Sequence, residues 1–427
     1  DAPDFVRINT IEASPHTPGK AYVSGIRYLV DNDRSPYVWK TEDYGQNWTK
    51  ITNGIPDDDF VRATREDIVR PGMLYAASES TVYVSWNDGE NWQPLSQNLP
   101  VVQVSDLVVE DNDLVIGTHG RSFWVMRDIG ILRQMTPEVV TSDWWLFDPK
   151  DPVRGFDNAT TVQYYLPEAA DEITVEIMDS DGDIIFTSTA GGDDDEPVEA
   201  AAGGRRGGRG GFSGTIRPSR SAGSKTFRWN QRLPSWTDFE GRIFWAAGPV
   251  GPAVVPGQYQ VNMTVDGETQ SREFEIKMNP RVLAEGVTVA DLQARHDLAI
   301  MIRDRVTQAN EAVLQMRSIK TQIDDRTEEN DNAELASLAG TVAERLTSVE
   351  GEIYQIQNRS GQDPLNYPIK LNNKIAALLN HVEGAENRPT DQSVEVFDTL
   401  SDLLDVEIGQ MTLVIQQDLA RLNALLR

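Results

Sequence analysis

The side chains able to do acid–base chemistry are few. Histidine occurs at His16, His119, His296 and His381. None has a second histidine or a carboxylate at the H-E-x-x-H spacing that places two metal ligands on one helix face. His16 lies in the turn Ser14-Pro15-His16-Thr17-Pro18, while His296 and His381 fall on helical patterns. His119 stands apart, in Gly117-Thr118-His119-Gly120-Arg121 at a strand end. His119 and Arg121 are therefore the candidate ligand-binding residues. The alternative is that His119 pins its strand by hydrogen bonding.

Asp179, Asp181 and Asp183 alternate like the start of a calcium loop. That register wants glycine at position 6 and glutamate at position 12. Here Gly182 falls at position 4 and Ala190 at position 12, so a hairpin turn is the preferred reading. The three aspartates remain as candidate cation ligands only, and no cofactor is expected. Nucleophile elbows and phosphate loops are not found, and Gly203–Gly211 lacks the strand-before, helix-after context that phosphate binding needs. Glycoside hydrolysis needs two acids about 5–10 Å apart across a sugar. With Asp plus Glu at 67, the sequence selects no pair, and no catalytic set is assigned. Trp144, Trp145, Trp236 and Trp245 are able to stack on sugar rings; packing at a domain junction is preferred for Trp144 and Trp145.

Lys plus Arg is 39, so the net charge is −28. That balance argues against a nucleic-acid partner and against docking on anionic lipid, both of which are held by cationic surface. Cysteine is absent, which removes disulfides and thiolate chemistry together. Hydrophobic residues make up 39%, enough for a real core. No apolar run approaches the ~20 residues of a membrane helix. The chain opens on Asp1 without a charged-then-apolar leader. Either a leader has been removed or this is a piece of something longer.

These side chains must be held by two kinds of element. Up to about residue 275, short runs alternate apolar and polar residues between Gly, Pro, Asn and Asp, as in Lys20–Ser24, Met73–Ala77 and Asp113–Gly117. They read as strands. From Thr288 the period becomes 3.6. Leu298, Ile302, Val306, Ala309, Val313, Met316 and Ile323 mark one helical stripe, and Leu335 to Ile356 a second. Thr288 with Asp291, and Thr390 after Pro389, read as helix starts. Helices are expected over about 288–325, 331–359, 367–384 and 390–426. Short connections predict an antiparallel bundle. Its stripes at Val342–Ile356 and Leu400–Leu426 are long enough for an oligomer through the helical tail, with packing inside the chain preferred.

The β half repeats. Thr41-Glu42-Asp43-Tyr44-Gly45-Gln46-Asn47-Trp48 matches Ser85-Trp86-Asn87-Asp88-Gly89-Glu90-Asn91-Trp92. The shared pattern is Ser/Thr-x-Asp/Asn-x-Gly-x-x-Trp, at a step of 44 residues from Trp48 to Trp92. One four-stranded propeller blade has that length. A partial third copy, Arg127-Asp128-Ile129-Gly130, lacks the tryptophan. Asp43 and Asn87 are expected to bond amides of a tight turn, Gly45 and Gly89 to take positive φ, and Trp48 and Trp92 to fold over the hairpin and pack between blades. All six are read as structural.

The pattern resembles the Asp-box (BNR) repeat propellers, which include sortilin-type receptors, sialidases and xyloglucanase-type glycoside hydrolases. Gly117–Trp124 is similar to the closing blade, and Leu365–Lys374 to the helical tail, of large secreted bacterial proteins described as sortilin-like or glycosyl-hydrolase-like. In that group these segments form the C-terminal part of a longer chain. The resemblance implies secretion, extracellular or periplasmic, and leaves the activity open.

The expected architecture is multidomain, mainly β then α. Residues 1–135 are the last blades of a partial Asp-box β-propeller, 136–159 a linker, 160–280 an Ig-like β-sandwich and 288–427 the antiparallel helical bundle. The sandwich carries a flexible Gly/Arg-rich insertion at 190–224. An Arg-Gly nucleic-acid segment is the alternative there, and a surface loop of mutually neutralising charge is preferred. Three blades cannot close a ring of about four to eight. The remaining blades are expected from another chain or a missing N-terminal segment. Two functions follow. One is a secreted binding or scaffold protein with a glycan or protein ligand and no self-contained catalytic site. The alternative is a polysaccharide-directed glycoside hydrolase whose active site lies mainly in blades outside this chain.

Overall fold

The computed structural model describes residues 2–157, 159–191, 217–327 and 332–426. It divides into two compact units, Asp1–Thr141 and Ser142–Arg427.

The first unit is a succession of antiparallel meanders. β1 (Arg7–Ala13), β2 (Ala21–Arg27), β3 (Asp33–Thr41) and β4 (Thr49–Lys50) form one sheet in sequence order. β5 (Val61–Glu66), β6 (Leu74–Ser78), β7 (Val82–Ser85) and β8 (Gln93–Pro94) form the second, and β9 (Val104–Glu110), β10 (Asp113–Thr118) and β11 (Phe123–Met126) the third. The second sheet lies between the other two. Its Val61, Leu74, Ala76 and Tyr83 pack on Tyr22, Val38 and Ile51 of the first. From its opposite face Ala63, Met73, Tyr75 and Ala77 pack on Leu107, Val109, Leu114 and Ile116 of the third. Strand alternation puts Leu74 and Ala76 opposite Tyr75 and Ala77 on β6, a register shift between Val61 and Ala63 splits β5 in the same way, and burial on both faces explains why β6 is apolar without interruption.

The third sheet lacks a fourth strand among the described residues. Arg127-Asp128-Ile129-Gly130 leads instead into α1 (Gly130–Gln134), followed by α2 (Pro137–Thr141). Without a tryptophan to fold back over the hairpin, fully buried Ile129 joins the core there.

In the second unit, β12 (Trp145–Leu146), β13 (Thr160–Leu166) and, further on, β16 (Gly223–Trp229) make a three-stranded sheet. β14 (Glu172–Met178), β15 (Ile184–Gly191), β17 (Gly257–Val265) and β18 (Glu268–Ile276) make a four-stranded one in the order β15-β14-β17-β18. Val162, Tyr164, Phe227 and Trp229 of the first meet Ile173, Val175, Val261, Met263 and Phe274 of the second in one core. Trp144 is buried in that core, within the stretch read as linker. Of the Gly/Arg-rich insertion, 192–216 lies outside the described residues.

Helices complete the chain: α3 (Pro280–Ala284), α4 (Val289–Thr327), α5 (Ala333–Ile353), α6 (Leu371–Val382), α7 (Asp391–Leu413) and α8 (Ala420–Leu425). At the start of α4 the Thr288 hydroxyl accepts from Asp291 N at 3.2 Å while the Asp291 carboxylate accepts from Thr288 N at 3.0 Å, a reciprocal cap. Thr390 caps α7 by accepting from Ser393 N. The stripes Leu298–Ile323, Val342–Ile353 and Leu404–Leu422 are buried together in one core. Two features differ from the 3.6-residue reading. α5 stops at Ile353 because Tyr354 turns extended and its hydroxyl accepts from Ile243 N at 3.1 Å. The stretch 390–426 is interrupted by a wide π turn, Val414–Leu419. No helix among the described residues is long and apolar enough to cross a membrane.

Sandwich and helices are joined by partly buried ion pairs. Glu386 accepts from Arg154 Nε at 2.8 Å and from Arg295 Nη2 at 3.1 Å. Glu383 accepts from Arg232 Nη1 at 2.6 Å and, through its other oxygen, from Ala253 N at 2.8 Å. His296 Nδ1 lies 2.8 Å from the Ala253 carbonyl and therefore carries the proton there.

Candidate functional site

The two repeated turns are built alike. In the first, Asp43 accepts from Asn47 N at 2.9 Å and from the Asn47 amide at 2.7 Å. The Thr41 hydroxyl accepts from Gly45 N at 3.0 Å. The Asn47 backbone N–H, followed by the Asn47 side-chain amide, holds the Asp43 carboxyl below its ordinary range. In the second, Asn87 accepts from Asn91 N at 3.0 Å and Ser85 from Gly89 N at 3.0 Å. Gly45 and Gly89 have φ of 85° and 83°. A side chain at Gly89 would also meet Ile51 Cδ1 at 2.5 Å.

The tryptophans part company. Trp92 is 3% exposed, and its indole N–H donates to the Ile51 carbonyl of the first sheet at 2.9 Å. Trp48 is 40% exposed and donates only to Gly45 within its own turn, at 3.0 Å. The expectation of packing between sheets therefore describes Trp92 and not Trp48, because no described sheet precedes the first. Asp88, next to Asn87, completes the clamp. It accepts from Lys20 at 2.7 Å, Lys40 at 2.6 Å and Tyr22 Oη at 2.6 Å, all on the first sheet. Burial opposes its ionisation, but these bonds outweigh burial and hold the carboxyl low.

His119 and Arg121 occupy the exposed turn between β10 and β11. The turn is held through backbone: His119 N donates to Gln103 O at 2.9 Å, and Trp124 Nε1 donates to the Arg121 carbonyl at 3.0 Å. Both side chains stand in solvent. Asp179 accepts from Asp181 N and Asp183 N, each at 3.0 Å, so its carboxylate is engaged by the hairpin itself. The described residues contain no group of three or more His, Cys, Asp or Glu placed to hold a metal ion.

One cluster escaped the sequence reading. The opening strands of the three sheets bring Glu12, Arg65 and Asp106 together. Arg65 lies 3.4 Å from Glu12 through Nη1 and 3.0 Å from Asp106 through Nη2, and its Nε donates to Leu107 O at 3.2 Å. Burial pushes the Glu12 carboxyl up; Arg65 lowers it, while Asp106 and Glu66 add to the rise. No short motif links positions so far apart.

The Leu365–Lys374 segment acts as a grip. Asn373 accepts from Trp245 N at 2.7 Å and donates to Trp245 O at 2.9 Å. Asn372 donates at 3.0 Å to Asn310, which donates at 2.8 Å to Thr237 O. Asn373 directly, and Asn372 through Asn310, thus fasten the loop between β16 and β17 to the helices, and Trp236 and Phe239 of that loop sit in the helical core.

No protein-family model matches the chain, and no curated protein does. Among solved structures, YCF48 bound to D1 peptide is similar at 16% identity and a TM-score of 0.23, covering 39% of this chain and 49% of that one. An ancestral GH74 enzyme is similar at 9% identity and 0.23, covering 62% and 31%. The extracellular domain of a one component system from B. thetaiotaomicron is similar at 7% identity and 0.23, covering 64% and 31%. The chain spans about half of the first of these and about a third of the other two. All three are propeller-type proteins, and the likeness is weak. TM-scores this low leave the reading to the chain's own geometry.

Proposed function

We propose that residues 1–141 are the last blades of an Asp-box β-propeller completed by another chain or a preceding segment. The whole serves outside the cell interior as a binding and scaffold protein for a protein or glycan ligand. Residues 142–427 are its rigid appendage, an Ig-like sandwich locked to a helical bundle. The contrast between Trp92 and Trp48 carries this reading. The tryptophan of the turn is buried where a described sheet precedes it and open where no described sheet does. Exposed Ile11 on β1 and exposed Val108, Phe123 and Val125 on β9 and β11 leave apolar side chains uncovered on both outer sheets. The His119–Arg121 turn is the proposed ligand contact.

The alternative is a polysaccharide-directed glycoside hydrolase whose active site lies mainly in blades outside this chain; the carboxylates the chain itself brings together are Glu12, pushed up by burial, and Asp106. Arg65 ties both, so in this chain the pair works as a staple across three sheets. The decisive experiment is acrylamide quenching of Trp48, read as the difference between the parent and Trp48→Phe, in this chain and in the longest product of its gene and any co-purifying partner. Protection of Trp48 in the larger assembly is expected. Equal quenching in both overturns the propeller reading, and glycan hydrolysis lost in Glu12→Gln overturns the scaffold reading.

A further inference from the structure

α7 carries two apolar stripes. The first, through Phe397, Leu404 and Met411, is buried in the helical core. The second runs Val396, Thr399, Leu403, Val406, Gln410, Leu413, in alternating steps of three and four. That is the a/d spacing of a coiled-coil seam. Its four apolar members are between 42% and 58% exposed. At its middle, Leu403 and Val406 open into a cleft of about 270 Å³ whose other wall is Pro368, Ile369 and Leu371 together with the charged Glu352, Lys370 and Lys374.

The charges that α7 itself places beside the seam are all acidic. α7 contains no Lys or Arg. Glu395, Asp398, Asp402 and Asp405 lie along one edge by helical spacing, with Gly409 continuing the line, and Asp405 already pairs with Arg305 of α4 at 2.8 Å. A Cβ at Gly409 would meet nothing within 4 Å, so a neighbour can approach closely there. The opposite edge holds Glu407, with Lys370 paired to Glu352 at 3.1 Å and Lys374 nearby. A second copy of α7 would bring carboxylates onto carboxylates, in a chain of net charge −28.

The geometry points to the second stripe of α7 as a docking seam for an amphipathic helix of a partner protein, one whose apolar stripe is bordered by Lys and Arg. The partner's apolar side chains seat between Val396 and Leu413, one of them in the cleft beside Leu403. Its cations lie along the Glu395–Asp402 edge. This is helix-in-groove recognition, with apolar anchors supplying affinity and the charged edge setting partner choice. It stands independently of the propeller reading.

The test uses the purified chain and fluorescein-labelled designed helices of about three heptads, with Leu at a and d. One has Lys at e and g, one has Glu there, and one is a scramble of the Lys helix with equal charge. Anisotropy should show the Lys helix binding at least ~10-fold tighter than either control, and more weakly as salt rises. Leu403→Asp with Val406→Asp should abolish binding although it makes the chain more negative, which separates the seam from bulk charge attraction. Glu395→Gln with Asp402→Asn should flatten the salt dependence, and carries the test if the first pair misfolds. Equal binding of the scramble, no binding of the Lys helix, or a dimer of the free chain dissolved by Leu403→Asp overturns the proposal.

Discussion

Asp67 and Arg133 meet across 66 residues of sequence, the guanidinium Nε 3.0 Å from each carboxylate oxygen. The Asp67 side chain is 0% exposed and that of Arg133 8%. Asp67 also accepts from Val69 N and Arg70 N at 2.8 Å. α1, standing where a fourth strand is missing, thus plugs a guanidinium into the second sheet. Arg133→Met leaves a buried carboxylate without its counter-charge, at an expected cost of about 3–5 kcal/mol. Urea unfolding of the first unit, followed by tryptophan fluorescence, measures it. A loss below about 1 kcal/mol would show that the amides alone satisfy Asp67.

The paired tryptophans predict an asymmetry. Trp92→Ala empties a buried site and removes the bond to Ile51, and should cost about 3–5 kcal/mol. Trp48→Ala, partly in water already, should cost less than half as much. Comparable losses in urea titrations would refute the unequal burial.

His296 gives the second unit a pH dependence. Burial depresses its pKa below 6.5; the bond to Ala253, Asp297 and Glu383 oppose that, and Arg154 adds to it. The unfolded chain therefore takes up this proton first. The stability tied to neutral His296 is complete above about pH 6.5 and is lost as pH falls through the depressed folded value. The melting temperature of the second unit should drop between pH 7 and pH 5, and His296→Gln should flatten that slope. An unchanged slope would assign the loss to other groups.

His119→Ala and Arg121→Ala should each leave stability within about 0.5 kcal/mol, since their turn is held through main-chain groups. A larger loss in thermal unfolding would assign these side chains a pinning role instead of ligand contact.

What sequence alone revealed was local. The turns around Asp43 and Asn87 close their hydrogen bonds within eight residues, so a short pattern contains the whole mechanism. The helical stripes were equally plain, because burial on one face writes itself as spacing. Asp67–Arg133 and Glu12–Arg65–Asp106 join distant strands, and no pattern in a single sequence marks such pairs among so many charges. The second stripe of α7 was hidden for another reason. It overlaps the buried one on the same helix, and only solvent exposure separates them. The stop at Ile353 was set by the Tyr354 hydroxyl reaching Ile243, a tertiary contact that overrides helical periodicity.

The Glu383–Glu386 junction bears on how the second unit can be divided. Cutting the chain after β18 would leave Arg154 and Arg232 on one fragment with their counter-ions on the other, and would strip Trp236 and Phe239 from the helical core. Neither fragment would be a natural module. Gene fusion, shuffling or limited proteolysis should therefore pass the sandwich and the helices along together, as a single heritable cassette.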